Sequence, residues 1–307
     1  MSDELESSAL TIGMPVRNGG AFIGRALQSL LNQDYSPIDI VVSDNASTDS
    51  TETICADICK ENPRVQYIRR ETPVPAIENF WLTLQDCKTP FFMWAAHDDE
   101  WNNSWVSTLL PAIRGSAIGA FGKLFQIDAD GVILSDHPAH GSVMKYVDID
   151  TQKLRLAKFL MKREANGKAN LIYSIFRTEQ LRMALESARA RDIDFDCAIV
   201  FLVLQHGRIA SEPSAVFKKR IQSGLTKPTT VSIPTIRLSV FSRLMSRAWN
   251  EREYRTQLKR EWKCMMQQYV SASLPSHRRF VAILVWTKHF QNPYLLINQV
   301  RSRLLGK

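Results

Sequence analysis

Apolar runs and helix-period patterns alternate over the first hundred residues of the chain. The apolar segment at 10–16 predicts a buried strand, and the apolar positions within 21–32 recur at the three- and four-residue spacing of a helix. The alternation continues with predicted strands at 38–43, 65–69 and 91–96 and predicted helices at 50–61 and 78–85. Strands and helices that alternate in this way favour a three-layer α/β fold around a parallel sheet.

The pattern becomes mixed between about residue 118 and residue 226. Its apolar segments predict two further strands, at 118–127 and 171–177, and two further helices, at 154–162 and 198–205. The last of these helices is apolar throughout and ends near Gly207, a residue type that favours helix termination.

The segment from residue 227 onward has a different character. Its apolar positions keep a helical spacing, while Arg and Lys fill many of the positions between them. It holds 15 basic and three acidic residues, although the whole chain has a net charge of only +8. We therefore predict an α/β domain at 1–226 and a basic, amphipathic helical region at 227–307. Such charge asymmetry indicates an anionic partner.

Neither a signal peptide nor a transmembrane helix is predicted. Residues 1–6 are acidic, and the longest apolar stretch, 280–286, is far shorter than the roughly 20 residues that cross a bilayer. We expect a cytoplasmic protein. Arg278 and Arg279 precede that stretch, which is typical of an amphipathic helix on the anionic inner face of the cell membrane. The same stretch can instead pack on the α/β domain or on a second subunit.

Polar side chains follow three of the predicted strands, in the loops 17–20, 44–49 and 97–99. Because the carboxyl ends of parallel strands meet at one edge of a sheet, we expect these loops to line one crevice. Adjacent carboxylates at Asp98 and Asp99 repel each other unless a cation neutralises them. Mg²⁺ and Mn²⁺ suit such a site, because they combine few carboxylates with phosphate oxygens. The alternative is a pair of helix N-terminal acids.

Two other nucleotide-binding classes lack their signatures here. A dinucleotide-binding dehydrogenase needs a Gly-rich turn after the first strand, and a P-loop protein needs Gly-x-x-x-x-Gly-Lys-Ser/Thr. The chain has Met14-Pro-Val-Arg-Asn-Gly-Gly20 after its first strand and contains no P-loop motif. The predicted crevice therefore belongs to another class of α/β protein.

Taken together, the segments 14–23, 28–35 and 43–51 resemble the opening of the family 2 glycosyltransferases. The sequence AAHDDEW at 95–101 is similar to the acidic metal motif of that family, although Ala96 stands where many members have Asp. The resemblance covers roughly residues 9–225. It implies the GT-A fold, a three-layer α/β/α domain with a mainly parallel sheet, followed in this chain by a C-terminal helical region.

The resemblance also implies roles for individual residues. Pro15 and Asp44 would line the pocket for the nucleotide base and ribose, while Asp98 and Asp99 would meet the diphosphate and its Mn²⁺ or Mg²⁺ ion. The further candidates for contact with the nucleotide-sugar are Arg17, Asn18, Asn45 and Arg220.

The segment 191–210 resembles the part of the family in which an Asp opens an apolar helix that ends in Gly and serves as the catalytic base. Counted back from Gly207, Asp196 takes that place, and Asp194 is the alternative. Such a base is needed because an acceptor hydroxyl is a poor nucleophile until its proton is removed. A single displacement then inverts the anomeric centre. A helix N-cap is the simpler interpretation of Asp196.

These features predict a metal-dependent, inverting glycosyltransferase of the hexosyltransferase type. Its donor would be a nucleotide-diphosphate sugar, and its acceptor a glycan or lipid-linked hydroxyl in the synthesis of surface polysaccharide or glycolipid. We expect no nucleic-acid partner, and the sequence leaves self-association open. Because Ala96 removes one acid of the motif, the alternative is a non-catalytic domain that binds nucleotide or glycan within an assembly.

Overall fold

The computed structural model describes residues 9–136, 144–161, 167–191, 193, 196–221, 267–273 and 275–290. The alternative base Asp194 and most of the region 227–307 lie outside these ranges. The ranges nevertheless include every other candidate site residue.

Nine strands of the described residues form one sheet. They are β1 (Leu10–Val16), β2 (Ile38–Asp44), β3 (Val65–Arg69), β4 (Phe91–Trp94), β5 (Glu100–Trp101), β6 (Ala117–Ile127), β7 (Ile133–Asp136), β8 (Ile175–Arg177) and β9 (Arg208–Arg220). Their spatial order is β3-β2-β1-β4-β8-β6-β9-β5, with β7 paired to β6. The strand order reverses between β1 and β4, the kind of position at which α/β sheets bind ligands beyond the strand ends.

The helices connect and cover these strands. They are α1 (Ile23–Leu31), α2 (Thr51–Glu61), α3 (Ala76–Leu84), α4 (Trp105–Leu109), α5 (Gln152–Met161), α6 (Thr178–Arg189), α7 (Asp196–Val203) and α8 (Arg278–Phe290). Short 3₁₀ helices lie at Leu110–Ala112, Lys168–Tyr173 and Pro275–His277. The α/β class is confirmed, and the alternating elements of the first hundred residues lie close to their predicted bounds.

The first half of the sheet is parallel and aligns the strand ends. β1 pairs in parallel with β2 and with β4, and β2 pairs in parallel with β3. Val16, the last residue of β1, lies opposite Asp44, the last residue of β2. This register brings the loops after β1 and β2 to the same level at the carboxyl edge of the sheet.

The second half of the sheet also contains antiparallel pairs. β8 pairs antiparallel with both β4 and β6, and β5 pairs antiparallel with β9, whereas β6 and β9 are parallel. The elements here that were not predicted include α6 and β9, as well as the short strands β5 and β7. The predicted strand at 171–177 is shorter, because its first part is the 3₁₀ helix that ends at Tyr173.

An aromatic cluster supports the strands that carry the acidic loop. Phe217 of β9 stacks on Trp101 of β5 with 5.4 Å between ring centroids, and Trp105 packs edge-on against Phe121 at 5.5 Å. Gly122 lets β6 approach β9 closely, since a Cβ there would lie 2.2 Å from the carbonyl oxygen of Ala215. Close packing of this kind resists displacement and so fixes the strands beneath the site.

The described C-terminal residues pack against the α/β body. Tyr269 and Val281 are fully buried, and Phe280, Leu284 and Val285 are partly buried against the same core. Ile283 points outward, with 63% of its surface exposed. Of the alternatives for the apolar stretch, these residues favour packing on the α/β body. None of the described helices combines the length and the apolar character needed to cross a bilayer.

Candidate active site

Hydrogen bonds tie the loop after β1 to the loop after β2. The amide of Asn18 donates to Ser47 Oγ at 2.8 Å, and the amide of Thr48 donates to Asn18 Oδ1 at 2.9 Å. The amide of Gly19 donates to Thr51 Oγ1 at 2.9 Å. Asn18 holds a left-handed backbone conformation with φ of 55°, which Asn tolerates better than most residues.

The acidic loop after β4 joins the same crevice. Gly19 lies so close to His97 that a Cβ on the glycine would meet the imidazole Cδ2 at 2.8 Å. The amide of Ala95, just beyond β4, donates to the carbonyl oxygen of Gly13 in β1. The predicted convergence of the three loops is therefore confirmed.

Asp44 is fully buried, and protein groups occupy both of its carboxylate oxygens. Oδ1 accepts hydrogen bonds from the amide and the hydroxyl of Ser47, at 2.9 and 2.5 Å, and Oδ2 accepts one from the Tyr67 hydroxyl at 2.5 Å. Burial, together with the bond to Asp44, raises the pKa of Tyr67. Asp44 thus stabilises the loop after β2, and its contact with a nucleotide base stays a prediction.

The other donor-side candidates differ in exposure. Asn45 is buried, and its side chain exchanges two hydrogen bonds with the backbone of Val74, at 2.9 and 2.7 Å. Pro15 is half-buried at the end of β1, while Arg17 and Asn18 are exposed beyond it. Asn45 therefore shapes the loop from within, whereas Arg17 and Asn18 are accessible to solvent beyond the end of β1.

Asp98 and Asp99 have unlike surroundings. Asp99 is fully buried, and its Oδ1 accepts a hydrogen bond from the amide of Arg220 at 2.8 Å. Its Oδ2 lies 3.6 Å from Lys219 Nζ and has no hydrogen-bond partner among the described residues. Burial raises the pKa of Asp99 to about 6, against the opposing charge of Lys219 and with a further increase from Asp98. Asp98 itself is half-buried at the crevice.

Arg220 makes extensive structural contacts, and its predicted contact with a phosphate stays a prediction. Its buried guanidinium donates to the carbonyl oxygens of Asp98, Asp128 and Ala129 and to the carboxylate of Glu100. The guanidinium also lies 4.7 Å from the ring centroid of Phe22. Because these neighbours take up its donors, Arg220 braces the acidic loop from below.

Arg220→Ala should lower the free energy of unfolding by about 3 kcal/mol, because it leaves Glu100 and three carbonyl oxygens without their buried cation. Urea unfolding followed by tryptophan fluorescence would measure this. The matched control is Arg17→Ala, which removes an exposed cation of the same type and should leave stability unchanged. Equal stability of the two variants would contradict the structural role of Arg220.

Asp196 lies at the start of α7 and shares an electrostatic neighbourhood with the acidic loop. It is exposed, whereas every other residue of α7 is buried. Burial raises the pKa of Tyr173 well above its usual value, and the charges of Asp99, Asp196 and Asp98 raise it further. The predicted base and the predicted metal ligands therefore all raise the pKa of the same phenol.

Two residues near the site, Lys219 and Tyr173, were missed by sequence reasoning. Lys219 pairs with Asp99, and its Nζ lies 5.7 Å from the ring centroid of Tyr173. In the sequence, Lys219 belongs to the basic run Lys218-Lys219-Arg220, which reads as solvated surface. A strand assignment for β9 was the signal that could have found it, since alternate residues of a strand face opposite sides.

A small cavity opens beside Asp196 at the end of β4. Trp94, the last residue of β4, forms part of its wall, and its indole N–H donates to Thr83 Oγ1 at 3.0 Å. The remaining walls are apolar side chains, namely Ala76, Ile77, Phe80, Ile172, Leu185 and Ile199. The carboxylate of Asp196 is thus the charged group of an otherwise apolar recess.

The described residues fit a divalent cation only in a limited way. They contain no cluster of three or more His, Cys, Asp or Glu side chains suited to an ion. Asp99 has one oxygen bound to an amide and the other beside an ammonium group, which disfavours it as a ligand. Asp98 remains, and a single carboxylate suffices where phosphate oxygens and water complete the coordination.

Comparisons with known proteins match this chain to a family and to several relatives. The model of "Glycosyl transferase family 2" matches residues 11–187. The GalNAc(5)-diNAcBac-PP-undecaprenol beta-1,3-glucosyltransferase of Campylobacter jejuni is 24% identical over 151 residues, which are 49% of this chain and 48% of that protein. Glycosyltransferase GlyA of Streptococcus pneumoniae is 28% identical over 110 residues, 36% of this chain and 16% of that protein. The chain thus spans about half or less of the length of these relatives.

Solved structures show the same fold. Residues 1–349 of Staphylococcus aureus TarS match with a TM-score of 0.56 and 15% identity, over 93% of this chain and 72% of that one. The complex of the same fragment with UDP-GlcNAc matches with a TM-score of 0.55 and 15% identity, over 92% and 73%. At this level of identity the likeness concerns the fold alone. It confirms the GT-A-type α/β architecture with its C-terminal helices.

Proposed function

The chain belongs to glycosyl transferase family 2, and from this membership we propose that it transfers a sugar from a nucleotide-diphosphate donor to an acceptor hydroxyl with inversion of the anomeric centre. One observation carries the proposal furthest. Asp196 and Trp94, the last residue of β4, line one recess, and Asp98 and Asp99 follow β4 in the acidic loop, so the proposed base lies at the strand end that carries the proposed donor-side acids. Inverting transfer requires such a pairing of roles.

On the donor side, Asp98 would hold one Mg²⁺ or Mn²⁺ ion beside the diphosphate of the donor. Such an ion would supply positive charge against the departing diphosphate. Asp99 keeps the acidic loop in place through the Arg220 amide and Lys219. Pro15, Asp44 and Asn45 shape the pocket for the base and ribose from the ends of β1 and β2.

On the acceptor side, Asp196 removes the proton of the attacking hydroxyl. Its position at the first turn of α7 leaves the carboxylate exposed while the rest of the helix is buried. The recess walled by Trp94 and Phe80 adjoins it and would receive the acceptor. Attack from this side, opposite the diphosphate, inverts the sugar carbon in one step without a covalent enzyme intermediate.

The acceptor class and the cellular location are also proposals, and they are supported by the names of distant relatives and by the charge of the C-terminal region. The C. jejuni relative acts, by its name, on an undecaprenol-linked glycan, and TarS has been solved with UDP-GlcNAc. We take a lipid-linked or surface glycan as the acceptor and a UDP-sugar as the first donor to test. The basic region 227–307 would bring the protein to the inner face of the membrane, with the exposed Arg278 and Arg279 contributing.

A donor panel tests the proposal. Purified protein is incubated with UDP-, GDP- and dTDP-sugars, with Mn²⁺, Mg²⁺ or a chelator, and with polyprenyl-diphosphate-linked sugars as acceptors, and release of the nucleoside diphosphate is measured. We expect metal-dependent release of the nucleoside diphosphate from donors of one nucleotide class. The rate of release should rise at least about tenfold when acceptor is added, because an acceptor hydroxyl held in position for attack accelerates transfer. Binding of a nucleotide without turnover of any donor would instead favour the non-catalytic alternative.

A further inference from the structure

Arg191 and Gln205 lie on either side of Asp196 in the sequence. Their side chains donate hydrogen bonds to two adjacent carbonyl oxygens within residues 267–273. Arg191, which precedes Asp196, donates from Nη1 to the carbonyl oxygen of Ser271 at 2.8 Å. Gln205, which follows α7, donates from Nε2 to the carbonyl oxygen of Ala272 at 2.9 Å. Gln205 is buried, so this bond is shielded from water. Residues 267–273, here called the C-terminal clamp, thus hold both ends of the segment that carries the proposed base.

The aromatic ring of Tyr269 joins the clamp to two elements that border the site. It is fully buried and packs edge-on against Phe201 of α7, with 5.5 Å between centroids and an interplanar angle of 84°. Its other neighbour is the buried ammonium group of Lys168, 5.3 Å from the ring centroid, in the 3₁₀ helix that ends at Tyr173. A desolvated ammonium over an aromatic face is attracted electrostatically by the ring.

These contacts restrict how α7 can move. Lys168 also donates to the carbonyl oxygen of Phe159 at 3.0 Å, so the cation that faces Tyr269 is itself held in place. The hydroxyl of Ser273 donates to the carbonyl oxygen of Tyr269 at 2.8 Å and closes the turn of the clamp. Because α7 is buried everywhere except at Asp196, a shift of its far end is transmitted along the helix to that carboxylate.

We propose that the C-terminal clamp is a positioning element of the active site, with Tyr269 and Gln205 as positioning residues for Asp196. The clamp lies outside the residues that match the family model, so this chain completes its site with a segment of its own C-terminal region. The inference rests on the proposed function, in which Asp196 is the base. A misplacement of a catalytic group by about 1 Å can lower a rate by about 100-fold.

Variants of the full chain test the clamp. Tyr269→Ala removes the ring that contacts Phe201 and Lys168, Gln205→Leu removes the bond to Ala272, and Tyr269→Phe keeps the ring as the matched control. We expect Tyr269→Ala and Gln205→Leu to lower kcat by about 10- to 100-fold. The donor KM, and the affinity for UDP with Mn²⁺ measured by calorimetry, should change less than about twofold. Tyr269→Phe, which keeps the ring contacts with Phe201 and Lys168, should retain a kcat at least about fivefold higher than that of Tyr269→Ala.

A readout that does not depend on turnover accompanies the kinetics. Hydrogen exchange of the α7 amides should become faster in Tyr269→Ala and in Gln205→Leu, because the far end of the helix is released. Unchanged exchange in both variants, or an unchanged kcat with faster exchange, would overturn the inference. Asp196→Asn is measured in parallel. If it keeps full activity, the proposed base is wrong; if it is inactive while the clamp variants keep their kcat, only the clamp inference fails.

Discussion

Asp196→Asn should lower the rate of sugar transfer by about 1,000-fold while the donor still binds. The amide cannot take the proton of the acceptor hydroxyl, yet Asn is as good as Asp at a helix start, so α7 should keep its fold. The affected quantity is kcat, measured as acceptor-dependent release of nucleoside diphosphate. The affinity for UDP with Mn²⁺, measured by calorimetry, should stay within about twofold of the original value.

The matched control is Glu179→Gln, which neutralises an acid in the first turn of α6. That side chain is 67% exposed and pairs only loosely with Arg182, at 3.3 Å. Both substitutions remove a negative charge from a helix N-terminus, which costs about 0.5 kcal/mol in each case. A loss of activity in Asp196→Asn alone supports its role as the base. If the two variants lose the same small amount of stability and both keep full activity, Asp196 is a helix N-terminal acid and the base must be sought at Asp194.

Asp98→Asn and Asp99→Asn should differ in their effect on Mn²⁺-dependent donor binding, although the residues are neighbours in sequence. Asp98→Asn should abolish the Mn²⁺-dependent part of donor binding and reduce transfer by about 100-fold or more, because it removes the proposed protein ligand of the ion. Asp99→Asn should keep metal-dependent binding. An Asn oxygen can still accept the amide of Arg220, and burial already raises the pKa of Asp99 to about 6, so a neutral side chain is tolerated there.

Calorimetric titration of UDP with and without Mn²⁺ measures the difference between the two variants. Thermal unfolding of each protein serves as the control for folding. The expected pattern is loss of the Mn²⁺ dependence in Asp98→Asn alone. The reverse pattern, with the dependence lost only in Asp99→Asn, would identify the buried residue as the ligand and would require Lys219 to move away from it.

The first half of the fold could be predicted because its signals are local. β1 and β3 were predicted at their observed bounds, and the loops after β1, β2 and β4 converge as expected of parallel strands. Buried parallel strands consist of nearly continuous apolar residues, so sequence and burial carry the same information. The polar loops are then placed by topology alone.

β9 could not be predicted, because its sequence does not look like a strand. It contains Pro213 and ends in Lys218-Lys219-Arg220, yet it lies between β6 and β5 within the sheet. Pairing with β6 and β5 and the burial of Phe217 in the aromatic cluster override its weak local preference. Because this strand was not predicted, Lys219 was missed as well.

The amino-acid sequence by itself determined the α/β class and the loops that line the crevice, and it supplied the candidate acids, because periodicity and motif order are properties of neighbouring residues. Only the tertiary structure distinguished Asp98 from Asp99. The two residues are adjacent in sequence. β9 places an amide and an ammonium group against the buried carboxylate of Asp99, whereas Asp98 is half-buried at the crevice. The C-terminal clamp was likewise beyond the sequence, since its hydrogen bonds join groups far apart in the chain. Contacts of this kind depend on how the elements pack, which local patterns do not encode.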